Sequence, residues 1–188
     1  GTVLDDSRRI LKVLHEKLGD TSTNNLTERQ RAEGRLVQDL LTGSLYWVLL
    51  HHNFGTDEGR TFLQKTLWSQ IPAPLAPLIL AMIFRKQCAN LLGAGFGLLP
   101  HEEIVELGRE DLRAIAGLLG TRTYILDTTE PTVYDSDVYA FVGHFFFGPL
   151  MAGRTWVKEI RHELVLLDRY MNRMRTLLYP DLEKKKNA

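Results

Sequence analysis

The side chains able to do chemistry are scattered along the chain: Asp6-Ser7, Ser44, His51-His52, Ser69, Cys88 and His144. Neighbouring residues on a helix point about 100° apart, so His51 and His52 do not form the two-histidine metal grip of an i, i+4 pair. They read as a surface or helix-end pair. His144 stands among Phe141, Phe145 and Phe146, which reads as a core histidine with a backbone partner, since no carboxylate is spaced to make it an acid or base. Ser44 and Ser69 have no nucleophile-elbow context, and Cys88 lacks the helix-start or basic setting that activates a thiol. Gly93, Gly95 and Gly97 form a loop, but no Gly-Lys-Ser/Thr follows and no strand precedes it, so it reads as a turn rather than a phosphate cradle. Ser7, placed before Ile10, Leu11 and Leu14, reads on its own as a helix N-cap.

Composition narrows the classes. With 188 residues, 44% of them hydrophobic, the chain can bury one sizeable core. Lys+Arg and Asp+Glu balance at 23 each, which leaves no overall field to hold a nucleic-acid backbone. Cys88 is the only cysteine, so an internal disulfide and a cysteine-cluster metal site are both excluded. No run reaches the roughly 20 apolar residues of a membrane span. The nearest, Ala73 to Phe84, is interrupted by Pro74 and Pro77 and reads as a core helix. The segment from Gly1 to Asp6 carries neither the basic start nor the apolar run of a signal peptide.

The positioning elements are helical from about Leu26 onward. Thr27-Glu28-Arg29-Gln30 is a capping box and starts a helix, whose stripe Leu36, Leu40, Trp47 and Leu50 is widened by Val37, Leu41, Leu45 and Val48. Pro72, Pro74 and Pro77 lead irregularly into a helix over Leu78 to Leu92, which the glycines end. Ile104, Leu112, Ile115 and Leu119 mark the next, with Glu102 and Glu103 in its first turn and Gly120 as terminator. An extended link through Tyr124, Ile125 and Leu126 precedes a second capping box, Thr132-Val133-Tyr134-Asp135, which opens a helix with the stripe Tyr134, Val138, Phe141 and Phe145. Trp156, Ile160, Leu164, Leu167, Met171, Met174 and Leu178 predict one long final helix, closed by Pro180. Lys184 to Lys186 read as a solvated tail.

Three segments in order resemble the helical domain of glutathione-transferase-fold proteins of the failed-axon-connections and metaxin-like type. They are Asn25 to Glu33 leading to Tyr46-Trp47; Arg85-Lys86, Gly95-Phe96-Gly97 and Glu102-Glu103-Ile104 with Leu107-Gly108; and Pro131-Thr132-Val133-Tyr134-Asp135-Ser136. Gly1 to Leu14 looks like the last strand and helix of a thioredoxin-like domain. The resemblance implies an all-α bundle similar to the transferase C-terminal domain over residues 21–182, preceded by a thioredoxin-like remnant over 1–20 and followed by a basic tail over 183–188.

The same resemblance implies a function. An acid-Ser pair at this turn of the transferase fold holds the glutamyl end of glutathione, and here it is Asp6-Ser7. Tyr46 and Trp47, on the first long helix, border the pocket for a small hydrophobic electrophile, although Trp47 also fits a core position. The residue that activates the glutathione sulfur, and a cis-proline, are expected upstream of Gly1, so the chain reads as a piece of a longer protein and no catalytic residue is assigned in it. Glutathione is the implied co-substrate, no metal is expected, a homodimer or a protein partner is expected, and the implied location is cytoplasmic. The alternative implied by the metaxin-like side is a non-catalytic interaction module, associated with the mitochondrial outer membrane and its import machinery.

Overall fold

A computed structural model describes residues 25–68 and 75–180, together with Val13. The described residues are all-α, with no strand among them. This is the helical class of the transferase C-terminal domain. The expected thioredoxin-like remnant, with Asp6 and Ser7, and the basic tail lie outside the described residues.

Helix α1 (Glu28–Leu40) starts at Thr27 as the capping box requires: the Thr27 hydroxyl accepts from the Gln30 amide, and the Gln30 side chain accepts from the Thr27 amide. It continues without a break through a π-helical turn, Leu41–Leu45, into α2 (Tyr46–Leu50) and a second π turn, His51–Gly55. Thr56 then turns extended and starts α3 (Asp57–Trp68), its hydroxyl accepting from the Gly59 amide at 3.1 Å. Glycine is needed there, because a Cβ on residue 59 would lie 1.9 Å from the His52 carbonyl oxygen.

Helix α4 (Ala76–Gly93) has Pro77 in its first turn, where a missing amide costs nothing, and ends near Gly95, whose φ of 84° suits glycine. A short 3-10 turn, Phe96–Leu98, leads to α5 (His101–Leu119), which carries Glu102 and Glu103 at its positive end and stops at Gly120 with φ 52°. Helices α6 (Val133–Phe146), α7 (Thr155–Glu163) and α8 (Val165–Leu178) complete the bundle. Helix α6 lies centrally, against α1 on one side and α8 on the other, while α5 packs on the α1–α2 rod, α7 and α8.

Three expectations change. The rod buries Val37, Leu41, Leu45, Val48 and His52, and Leu36 is 70% exposed. Their mean spacing exceeds 3.6 residues, and the π turns absorb the surplus. The link through Tyr124, Ile125 and Leu126 is a tight turn rather than an extended segment, closed by the Asp127 amide on the Tyr124 carbonyl, with Ile125 and Leu126 fully buried. The long final helix is two helices, divided at Leu164, whose backbone (φ −97°, ψ 57°) leaves the helical region. Arg161 spans the break: its guanidinium donates to Asp168 on α8 and to the Phe146 carbonyl at the end of α6, and stacks 5.0 Å from the Phe146 ring.

The second capping box is the polar centre of the core. Asp135 is fully buried and accepts from the Thr132 amide and hydroxyl, from the Ile125 amide and from the Tyr170 hydroxyl, all within 2.9 Å. Burial, and then the Asp135 carboxylate, push the Tyr170 hydroxyl pKa upward, so it stays a donor. The box therefore ties α6 to α8 and to the 124–127 turn. Gln30 reaches the same turn from α1, donating to the Leu126 carbonyl at 2.8 Å.

Candidate functional site

The α1–α2 rod presents its aromatic and imidazole groups along a surface shared with the 96–101 region. Tyr46 is partly exposed and meets Trp47 edge to face at 5.2 Å. Trp47 stacks on Phe96 at 6.3 Å and is half-buried, so the two aromatics expected to border a pocket stand at the edge of the core rather than within it. One turn further along, His51 Nε2 lies 3.1 Å from His101 Nδ1, so one imidazole donates and the other accepts. Burial, and then His101, push the His51 pKa down.

Beneath this surface a cavity of about 230 Å³ is lined by His51, Arg60, Cys88, Leu91, Leu92 and Gly97. The Arg60 guanidinium stands 3.5 Å from the Cys88 sulfur, and the thiol points to the Phe54 carbonyl at 3.8 Å. A thiol, a guanidinium and a neutral imidazole thus share a small pocket with an apolar wall. Its size suits a side group or a few atoms rather than a whole peptide. Sequence missed it: Cys88 gains its basic neighbour from α3, 28 residues away, and nothing local signals that.

The histidine pair also behaves differently from its sequence reading. His52 is fully buried rather than at the surface, stacked on Trp156 at 5.6 Å and edge-on to His101 at 5.3 Å, with neither ring nitrogen hydrogen-bonded. Burial, and then Arg154, lower its pKa to about 3. It is a neutral imidazole built into the core. His144, in contrast, is exposed on α6 and not a core residue, because the buried face of that helix runs through Val138, Val142, Phe145 and Phe146. Ser44 donates to Asp111, a buried carboxyl whose pKa is raised to about 6, chiefly by desolvation. Ser69 lies outside the described residues. Among the described residues no group of three or more His, Cys, Asp or Glu is placed to hold a metal ion.

With this geometry in hand, two relatives bear on family. The chain is 24% identical over 146 residues to an isoprene-epoxide glutathione S-transferase from Rhodococcus sp. (strain AD45), covering 77% of this chain and 61% of that protein. It is 22% identical over 156 residues to the Failed axon connections protein of Drosophila melanogaster, covering 78% of this chain and 37% of that protein. Both likenesses support a glutathione-transferase-like family. The chain spans less than two thirds of the length of either relative. No family model matches it. No solved structure matches it either. No helix among the described residues is long and apolar enough to cross a membrane.

Proposed function

We propose that this chain is the helical part of a glutathione-binding protein that conjugates glutathione to a small hydrophobic electrophile. The observation that carries the reading is the likeness to a protein named as an isoprene-epoxide glutathione S-transferase over 77% of the chain. The buried capping box at Thr132 and Asp135 agrees with the transferase-like helical domain expected from the sequence. In this reading Asp6 pairs with the ammonium group of the glutamyl moiety and the Ser7 hydroxyl donates to its carboxylate. Tyr46 and Trp47, with Phe96 beside them, form one wall of the electrophile's pocket. The sulfur is activated by a residue upstream of Gly1, and the working location is cytoplasmic.

Retention of the full-length protein on immobilised glutathione tests this reading. Retention that is lost on Ser7→Ala and on Asp6→Ala supports it; a full-length protein that never binds glutathione sinks it.

A second reading follows the metaxin-like side of the sequence resemblance, alongside the likeness to Failed axon connections, which covers the chain to a similar extent. Under it the helical domain is a docking surface without catalysis, held at the mitochondrial outer membrane by a protein partner. The exposed side chains of Leu75, Leu78 and Met82 supply an apolar face suited to such contact. Co-purification of a stable partner from a membrane fraction, with no conjugating activity, favours this reading; a freely soluble protein with measurable conjugation counts against it.

A further inference from the structure

We propose that the groove between the outer face of α6 and the end of α8 binds a small aromatic carboxylate, whose ring lies on the Gly143 backbone and whose carboxylate meets Arg175. The groove offers about 660 Å³, and its lining includes Tyr139, Gly143, Phe147, Arg175 and Tyr179. Small-molecule sites usually enclose about 300–1,000 Å³. None of these residues belongs to the α1–α2 rod that carries Tyr46 and Trp47, and the proposal does not rest on the glutathione reading.

Charge sets one end of the ligand. Arg175 is half-buried, and among the described residues no carboxylate or carbonyl accepts a hydrogen bond from it; its guanidinium lies instead over the Phe147 ring at 4.8 Å. A second guanidinium, Arg161, reaches the same ring at 5.8 Å but is already neutralised by Asp168 at 2.7 Å. Arg175 is thus the uncompensated one of the two. None of its nitrogens is among the polar atoms sealed in the interior, so a ligand lying in the groove can reach them. Its planar fork matches the two oxygens of a carboxylate.

The walls set the other end. The Tyr139 ring stands 6.0 Å from Tyr179 and 6.3 Å from Phe147, so three rings from two helix ends make one aromatic surface. Rings packed at such distances favour a further ring in offset or edge-on contact. Tyr179 is 50% exposed, which leaves that surface open to a ligand. Burial pushes the Tyr139 hydroxyl pKa up, against the pull of Arg175, so the phenol stays neutral and does not repel a carboxylate.

The floor is the third observation. Gly143 sits inside α6, where glycine is less favourable than alanine. Packing does not require it: a Cβ there would meet only the Met171 methyl at 3.9 Å and the Phe147 ring at 4.0 Å, both ordinary contacts. With Ala140 exposed one turn earlier, Gly143 leaves a flat floor on which a ring can approach the helix backbone.

Isothermal titration of the full-length protein with 2-naphthoate, with its neutral amide 2-naphthamide and with cyclohexanecarboxylate, at constant ionic strength, tests the proposal. Saturable one-site binding of 2-naphthoate is expected, with the amide and the saturated acid each weaker by at least about tenfold. Arg175→Gln weakens 2-naphthoate about tenfold and brings acid and amide to equal affinity, a convergence that a general loss of structure would not produce. Ala140→Leu fills the floor from an exposed helical position and weakens both aromatic ligands at least about tenfold while the thermal melt is unchanged. This second variant decides the matter even where Arg175→Gln fails to fold. The proposal is overturned by no saturable binding of 2-naphthoate, by equal binding of cyclohexanecarboxylate, by an acid–amide gap that survives Arg175→Gln, or by binding insensitive to Ala140→Leu.

Discussion

Replacing Asp135 by alanine should cost more stability than any other single change in the described core. The carboxylate accepts four hydrogen bonds from three residues, and Ile125 and Tyr170 are both essentially inaccessible to water. Truncation leaves the Ile125 amide, the Tyr170 hydroxyl and the start of α6 without acceptors. Each buried orphan costs about 1–3 kcal/mol; the losses overlap, and breaking a buried charged contact from one side costs about 3–5 kcal/mol. For a chain of this size that corresponds to a fall in Tm of about 6–20 °C. Asp135→Asn keeps one acceptor oxygen but turns an amide toward donors, so about 2–3 kcal/mol is expected. Tyr170→Phe removes one donor and leaves the carboxylate three others, so about 1–2 kcal/mol is expected. Urea unfolding followed by far-UV circular dichroism measures all three, and the Asp135→Asn, Tyr170→Phe double mutant gives their coupling. An Asp135→Ala protein within about 1 kcal/mol of wild type, or a double mutant with additive losses, would refute the view that this hub joins α6 to α8.

Two buried titratable groups, His52 and Asp111, should give opposing pH dependences. His52 is held neutral, so its contribution is complete above pH about 6.5 and is lost as pH falls toward about 3, at up to about 1.4 kcal/mol per pH unit. The charged and titratable groups facing it, Arg154, His101 and His51, all press the same way. Asp111 is raised from 3.8 to about 6 by desolvation and by Glu110 against the Ser44 hydrogen bond, so its contribution is complete below about 4 and is lost as pH rises through about 6. Between about 4 and 6 the slopes offset one another; His52→Phe should become more stable as pH falls there, and Asp111→Asn less stable, in denaturation series across that window. Equal, flat profiles for both variants would count against either burial effect. Gly59→Ala should destabilise by about 2 kcal/mol despite the better helix propensity of alanine, because its Cβ meets the His52 carbonyl, whereas Gly43→Ala, with open space around it, should stabilise by about 0.5–1 kcal/mol. Thermal melts of the pair decide it by the sign of the change.

Helix starts were legible because their causes are local. Thr27 with Gln30, and Thr132 with Asp135, each satisfy first-turn amides from within four residues, and both boxes form as expected. Gly95 and Gly120 stop their helices for an equally local reason, a positive φ. What the apolar pattern could not show was decided by distant packing. The stripe from Trp156 to Leu178 is continuous as text, yet Arg161 joins Asp168 to the end of α6 and the helix breaks at Leu164. The aromatic neighbours of His144 are buried on a face that the histidine does not share. The same holds for the sites: Arg60 and Cys88, or His51 and His101, meet from 28 and 50 residues apart, and Arg109 lies over Trp156 only once α5 and α7 are laid together.

The two π turns of the first rod carry a consequence for comparing this chain with its relatives. A π turn absorbs a surplus residue in a helix, so removing that one residue lets the turn revert to α-helix while the residues beyond it keep their faces. Shortening the Leu41–Leu45 turn in this way would leave His52 under the Trp156 ring, whereas one further deletion in the regular helix would rotate it away by about 100°. The π turn therefore works as a slack joint: a homologue one residue shorter between Thr27 and His52 keeps a side chain under that indole with a regular α-helix in place of the turn.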